Sequence, residues 1–273
     1  MNKNIITSNP GIYLIRINDV LGHLYIPEKK TNKAIIHAKG GPSLGDDGDS
    51  ALWPVASKNN YILFVPDYIG YCHSYGVFNF ENCVNTIYEA ENFLNGTTPA
   101  IDTLSGIEIK LECTDILLIG SSWGASIAPF ISKYKKSSIQ NIGLIKPVTN
   151  WKTQGKTTYP EENTTETNHY LSIGWENVYR DYINSEWPKI FNGELSEFNP
   201  IDNINLLKDK NIFIVHGKKD TAIHWEKSLN YVNEYKKVFP QKQIYAKFAQ
   251  NGDHSSKFTA KGLQHIINEI KKT

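Results

Sequence analysis

Gly120-Ser121-Ser122-Trp123-Gly124 is where residue type and spacing in this chain first suggest chemistry. Glycines two before and two after Ser122 let the backbone turn sharply enough to present a single hydroxyl. Ser121 and Ser126 lack that frame. Such a serine suits attack on a carbonyl carbon, provided a histidine takes its proton and an acid orients the imidazole. Asp220 follows the apolar run NIFIVHG through Lys218-Lys219. A helix N-cap is the competing role for it. His254 lies in Asn251-Gly252-Asp253-His254, after QIYAKFA and ahead of a helical stretch. Of the eight histidines, only His254 combines a late position with a glycine-containing loop. His216 sits inside a strand and reads as a hydrogen-bonded core residue, His224 starts a helix and His265 lies within one. Asp253 is a rival acid, but adjacency makes its side-chain bond to His254 awkward.

Attack on a carbonyl also needs donors waiting for the developing oxyanion. The N–H of Trp123, next after the nucleophile, is one candidate. The second lies in Lys39-Gly40-Gly41-Pro42, where Gly41 offers a backbone N–H and the Lys39 side chain is a further candidate.

These residues need a scaffold, and the hydrophobic pattern supplies one. GIYLIRI and GHLYIP flank the turn residues Asn18-Asp19 and read as a hairpin. KAIIHA, YILFVPD, DILLIG, NIGLIKP, NIFIVHG and QIYAKFA follow as buried strands. Helical periodicity covers about 80–95, 124–136, 225–238 and 257–271. Strands alternating with helices imply a mostly parallel sheet covered on both faces, with the chemistry on loops at the carboxyl ends of the strands. Residues 152–199 break the alternation. They carry Trp175 and Trp187 among many tyrosines and phenylalanines, too aromatic for a disordered linker. This segment is expected to be a small, largely helical cap inserted in a single domain spanning 1–273. An ordinary surface excursion anchored by its aromatics is the equal alternative.

The chain has 273 residues, with 29 Lys plus Arg against 28 Asp plus Glu. It therefore carries no basic stripe for nucleic acid. Three cysteines without metal spacing fit a reducing compartment. No apolar run has membrane length, and the opening MNKNIITSNPG has no signal-like core, so a cytoplasmic location is expected.

With these residues in view, the chain resembles the catalytic domain of the prolyl oligopeptidase family of serine peptidases. Lys39-Gly40-Gly41-Pro42 is similar to the family's His-Gly-Gly-Pro loop. Pro66-Asp67-Tyr68-Ile69-Gly70, continuing to Tyr75-Gly76, is similar to its Asn-Tyr-Arg-Gly-Ser-x-x-Tyr-Gly stretch. Pro147-Val148-Thr149-Asn150-Trp151 matches Pro-Val-Thr-Asp-Trp, and Asn199-Pro200-Ile201 matches Ser-Pro-Ile. His216-Gly217-Lys218-Lys219-Asp220 matches His-Gly-x-x-Asp, and Gly252-Asp253-His254 ends as Gly-x-Gly-His does. The chain departs at Lys39, Ile69 and His224, where the family has histidine or tyrosine, arginine and proline, and no propeller is expected ahead of the hydrolase part.

The resemblance implies an α/β-hydrolase fold, a mostly parallel eight-stranded sheet with helices on both faces. It also implies the chain order Ser122, Asp220, His254 for nucleophile, acid and base. The expectation is a serine hydrolase needing no cofactor or metal, acting on a small ester or short peptide. Tyr68, Trp175 and Trp187 are expected to face the substrate. A catalytically silent binding protein of the same fold, or an acyltransferase using the same residues, are the alternatives. No nucleic-acid or membrane partner is expected, while homo-oligomerisation is left open.

Overall fold

The computed structural model describes residues 5–6, 9–155 and 177–272. Its frame is an 11-stranded sheet in the order β1-β7-β6-β2-β3-β5-β4-β8-β9-β10-β11. The body holds the eight expected strands. They are β2 (Gly11–Ile17), β3 (Val20–Ile26), β4 (Lys33–Ala38), β5 (Ile62–Pro66), β8 (Asp115–Ser121), β9 (Asn141–Ile145), β10 (Asn211–Gly217) and β11 (Ile244–Ala249). Three short strands, β1 (Ile5–Ile6), β6 (Ala100–Asp102) and β7 (Glu108–Ile109), extend one edge beyond that expectation. Strands of two or three residues are too short to show a hydrophobic period.

β2 and β3 form the expected hairpin, with Asn18 in the left-handed region at φ 50°. From β5 through β4, β8, β9 and β10 to β11 every pairing is parallel. Parallel strands end on the same side, so Ala38, Ser121, Ile145, Gly217 and Ala249 bring five loops to one rim.

Both faces are covered. Helices α1 (Trp53–Lys58) and α6 (Ser256–Ile270) pack on one face, where Ala56, Phe258, Leu263, Ile266 and Ile267 meet the strand residues Ile35, Leu117 and Val215. α2 (Phe80–Leu94), α3 (Gly124–Ile127) and α5 (Trp225–Val238) contribute to the core of the other. There Phe80, Val84, Ile87 and Leu94 bury the stripe that the three-and-four spacing predicts. Fully burying a side chain of this size is worth about 1.5–3 kcal/mol, so the two clusters dominate stability. Asn79 caps α2 by accepting from the Asn82 N–H at 2.7 Å. Ser255 caps α6 by accepting from Phe258 at 3.2 Å, which fixes His254 just outside a helix start.

The helix after Ser122 is shorter than its periodicity suggests. It ends at Ile127 and passes into a 3₁₀ turn over Ala128–Phe130. Pro129 has no N–H and its ring crowds the preceding turn, so an α-helix cannot run through it.

Of the aromatic segment, the described part includes a short helix, α4 (Trp187–Phe191), and Tyr179, which bridges to Tyr71. Tyr179, Tyr182, Trp187 and Phe191 are all buried. Trp175 lies outside the described residues. No helix among the described residues is long and apolar enough to cross a membrane.

Candidate active site

Ser122 follows β8 with φ 54°, a left-handed conformation that costs a non-glycine residue about 1–3 kcal/mol. The two glycines of its frame have separate jobs. A Cβ on Gly124 would sit 2.1 Å from the Ala38 carbonyl oxygen, and one on Gly120 would sit 2.6 Å from the Ala125 Cα. The turn therefore closes only with both positions bare. The Ser122 N–H donates to the Ile145 carbonyl at 3.0 Å, tying the turn to the end of β9.

Three side chains far apart in sequence converge on this turn. Ser122 Oγ lies 3.0 Å from His254 Nε2, and His254 Nδ1 lies 2.7 Å from Asp220 Oδ2. Asp220 is buried, and its other oxygen accepts from the amides of Ala222 and Ile223 at 3.0 and 2.9 Å. Burial alone would push this carboxyl up. Hydrogen bonds from His216 and His254, the charge of His254 and the Ile223 amide outweigh it and hold Asp220 well below the usual carboxylate range. An ionised Asp220 accepts from Nδ1–H, which leaves Nε2 bare to accept from the Ser122 hydroxyl.

His216 is the core histidine expected from its strand position, but it also braces the acid. Its Nε2 lies 2.8 Å from the Ile223 carbonyl and 3.3 Å from Asp220 Oδ2. A carbonyl can only accept, so Nε2 carries the hydrogen, and Nδ1 accepts from Ser228 Oγ at 2.7 Å. Asp253, the rival acid, is exposed and accepts from the Ser255 N–H and hydroxyl instead.

The loop after β4 passes directly over the serine. A Cβ on Gly40 would come within 2.8 Å of the Ser122 Cβ, and one on Gly41 within 2.7 Å of the Trp123 ring. Trp123 occupies the N-cap of α3, so its N–H is one of the helix-start donors without an intrahelical acceptor. Lys39 does not aim its charge at the serine. Its ammonium folds back to the carbonyls of Leu44 and Gly45, both at 3.0 Å.

Two expected substrate contacts are corrected. Tyr68 is buried and donates its hydroxyl to the Lys39 carbonyl at 2.9 Å, so it props the loop from behind. Trp187 is 0% exposed and packs against Trp123 at 4.7 Å, Phe78 at 5.7 Å and Phe80 at 5.4 Å. It is a core residue, placed there because a large apolar ring gains most by leaving water.

A cavity of about 360 Å³ opens over Ser122 and His254, bounded among others by Gly41, Asp46, Asp49 and Lys146. Asp46 is held by the Tyr25 hydroxyl. Two buried groups at this cavity escaped the sequence reading. His37 Nε2 meets Ser121 Oγ at 3.0 Å, and burial, reinforced by the Lys39 and Lys146 charges, pulls the His37 pKa down to about 3. Lys146 is the residue after β9, buried, with φ 44°. The signal for both was position. Each stands at the carboxyl end of a buried parallel strand, on the same rim as Ser122.

No protein-family model and no curated protein matches the chain. Solved structures match throughout its length. An acylaminoacyl peptidase from Pyrococcus horikoshii superposes with TM-score 0.62 at 15% identity, covering 97% of this chain and 41% of that one. A dipeptidyl aminopeptidase IV-like protein from Bacteroides ovatus gives TM-score 0.60 at 15% identity, covering 94% of this chain but 35% of its own. The chain thus spans well under half the length of these two peptidases. An esterase from Pyrococcus furiosus matches at TM-score 0.62 and 17% identity over 97% of this chain and 90% of its own. The fold is that of the α/β-hydrolases. Its structural neighbours include both peptidases and esterases.

Proposed function

We propose that the protein is a serine hydrolase that cleaves a small carboxylic ester or a short peptide through an acyl-enzyme on Ser122. The observation that carries this reading is the unbroken hydrogen-bonded chain from Ser122 Oγ through His254 to the buried Asp220. In the first half-reaction Oγ attacks the carbonyl carbon while its proton passes to His254 Nε2. The N–H groups of Trp123 and Gly41 receive the charge of the tetrahedral oxyanion, and each such donor is commonly worth about 3–4 kcal/mol. Nε2–H then protonates the departing alcohol or amine as its bond to carbon breaks. In the second half-reaction water adds to the acyl carbon, gives its proton to Nε2, and the acid leaves as Oγ regains a proton. Asp220 stays ionised throughout and stabilises the imidazolium.

The cavity volume falls at the small end of ligand pockets, which favours a compact acyl group or a short peptide. The unpaired thiols Cys72, Cys83 and Cys113 support a reducing, cytoplasmic setting.

The test is a parallel assay of short-chain p-nitrophenyl esters and aminoacyl p-nitroanilides. Turnover of one class, lost by a factor of roughly 10⁴ or more in Ser122→Ala, supports the reading. Equal turnover by wild type and Ser122→Ala would refute it.

A further inference from the structure

We propose that Lys146 is a positioning residue: its ammonium bonds to the loop carrying His254 and holds the imidazole in register with Ser122. The inference rests on the reading of Ser122 and His254 as nucleophile and base. Lys146 Nζ donates to the His254 carbonyl and, at 3.0 Å, to the Ser255 carbonyl. Its backbone is locked from the other side, since its N–H donates to the Val215 carbonyl at 2.8 Å. The preceding residue, Ile145, accepts from the Ser122 N–H. Two consecutive residues, Ile145 and Lys146, therefore link the serine turn, β10, from whose end the acid's loop springs, and the base's loop.

Stability does not account for a lysine here. A buried ammonium costs free energy unless its donors are matched, and an apolar side chain of similar length would avoid that cost. Lys146 also sits at φ 44°, which disfavours any residue with a Cβ. Two costs at one position beside a reactive serine point to a geometric task.

The electrostatic surroundings fit that task. Asp220 and Asp253 favour the charged form, while burial disfavours it more and brings the Lys146 pKa down to about 8. His254 contributes the carbonyl that Nζ grips, His37 beside the cavity is neutral because of its burial, and Lys39 is turned to the Leu44 and Gly45 carbonyls. When Lys146 deprotonates, two N–H groups remain for two carbonyls, but the bonds lose their charge assistance. Above about pH 8 the grip on the His254 loop weakens.

The experiment compares full-length wild type with Lys146→Met, which keeps the stem and removes every donor, and with Lys146→Arg. Hydrogen–deuterium exchange across residues 250–256 reads the tether without relying on activity. Exchange in Lys146→Met is expected to speed up roughly tenfold and to return toward wild type in Lys146→Arg. With an acyl ester, kcat in Lys146→Met should fall roughly tenfold or more with KM within about threefold, and the decline of kcat above about pH 8 should disappear. Wild-type exchange in the loop together with wild-type kcat and an intact alkaline limb would overturn the proposal. So would a variant that only melts earlier. Should Lys146→Met fail to fold, Lys146→Leu, which also removes every donor, gives the same comparison. If wild type turns over no acyl substrate, the hydrolase reading fails, while the exchange result still decides the tether.

Discussion

Gly217 and Gly252 touch backbone to backbone: a Cβ on Gly217 would stand 2.2 Å from the Gly252 carbonyl carbon. This contact joins the loop carrying Asp220 to the loop carrying His254, and the Lys219 N–H adds a bond to the Gly252 carbonyl at 2.8 Å. The 2.7 Å bond between the two side chains depends on that closeness.

Gly217→Ala should therefore separate the loops, because the opposing atoms are backbone and cannot rotate away. Activity on a p-nitrophenyl ester is expected to fall by about 10² or more, since a displacement near 1 Å has that effect on an aligned site. Stability should drop by about 1–3 kcal/mol from the overpacking. Urea denaturation alongside steady-state kinetics separates the two losses. Unchanged kcat would mean that the contact does not set the site.

Trp187→Ala tests the placement of that ring in the core rather than at the substrate. Removing it from among Trp123, Phe78 and Phe80 should cost about 3–5 kcal/mol of stability. KM measured on the folded fraction should stay within about twofold of wild type. A raised KM with an unchanged melting temperature would return Trp187 to the substrate's side.

His37 makes stability depend on pH in a defined direction. Its folded pKa is pulled down to about 3, against about 6.5 for an unfolded histidine. Above pH 6.5 neither state binds the proton. Below it the unfolded chain gains a proton that folded His37 refuses, so stability falls as pH falls, by ~1.4 kcal/mol per unit until about pH 3. Between pH 7 and pH 5, wild type should lose about 2 kcal/mol more than His37→Gln in urea denaturation. Equal losses would contradict a neutral buried imidazole.

Ser122 stores strain that glycine would release. Ser122→Gly should be more stable than Ser122→Ala by about 1 kcal/mol, because only glycine adopts φ 54° without penalty. Thermal melts of the two variants are the comparison. Equal stability would mean that the turn is not strained.

Much of this site is legible in the sequence. The central parallel strands announce themselves through runs such as KAIIHA, DILLIG and NIFIVHG, because a parallel strand covered on both faces is apolar nearly throughout. Ser122 is legible because it directly follows such a strand, and Asp220 and His254 because they lie in the loops after β10 and β11, which gather on the same rim. Lys146 follows NIGLI in the same way but carries a residue type normally read as surface. Its burial depends on two carbonyls more than a hundred positions away. Trp187 was misplaced because periodicity over five residues does not reveal which neighbours surround a ring. The early end of α3 was written in Pro129, which the apolar period around it obscured. Tyr68 and Lys39 stand in the right loops, but the Lys39 ammonium is spent on its own loop and the Tyr68 hydroxyl on the Lys39 carbonyl, choices that only tertiary geometry makes.

The most direct test is fluorophosphonate labelling followed by intact-mass measurement and peptide mapping. Wild type should gain a single adduct on Ser122, His254→Ala should label far more slowly, and Ser122→Ala should gain none. Labelling that persists in Ser122→Ala, or a wild type that takes up no label, would contradict the account.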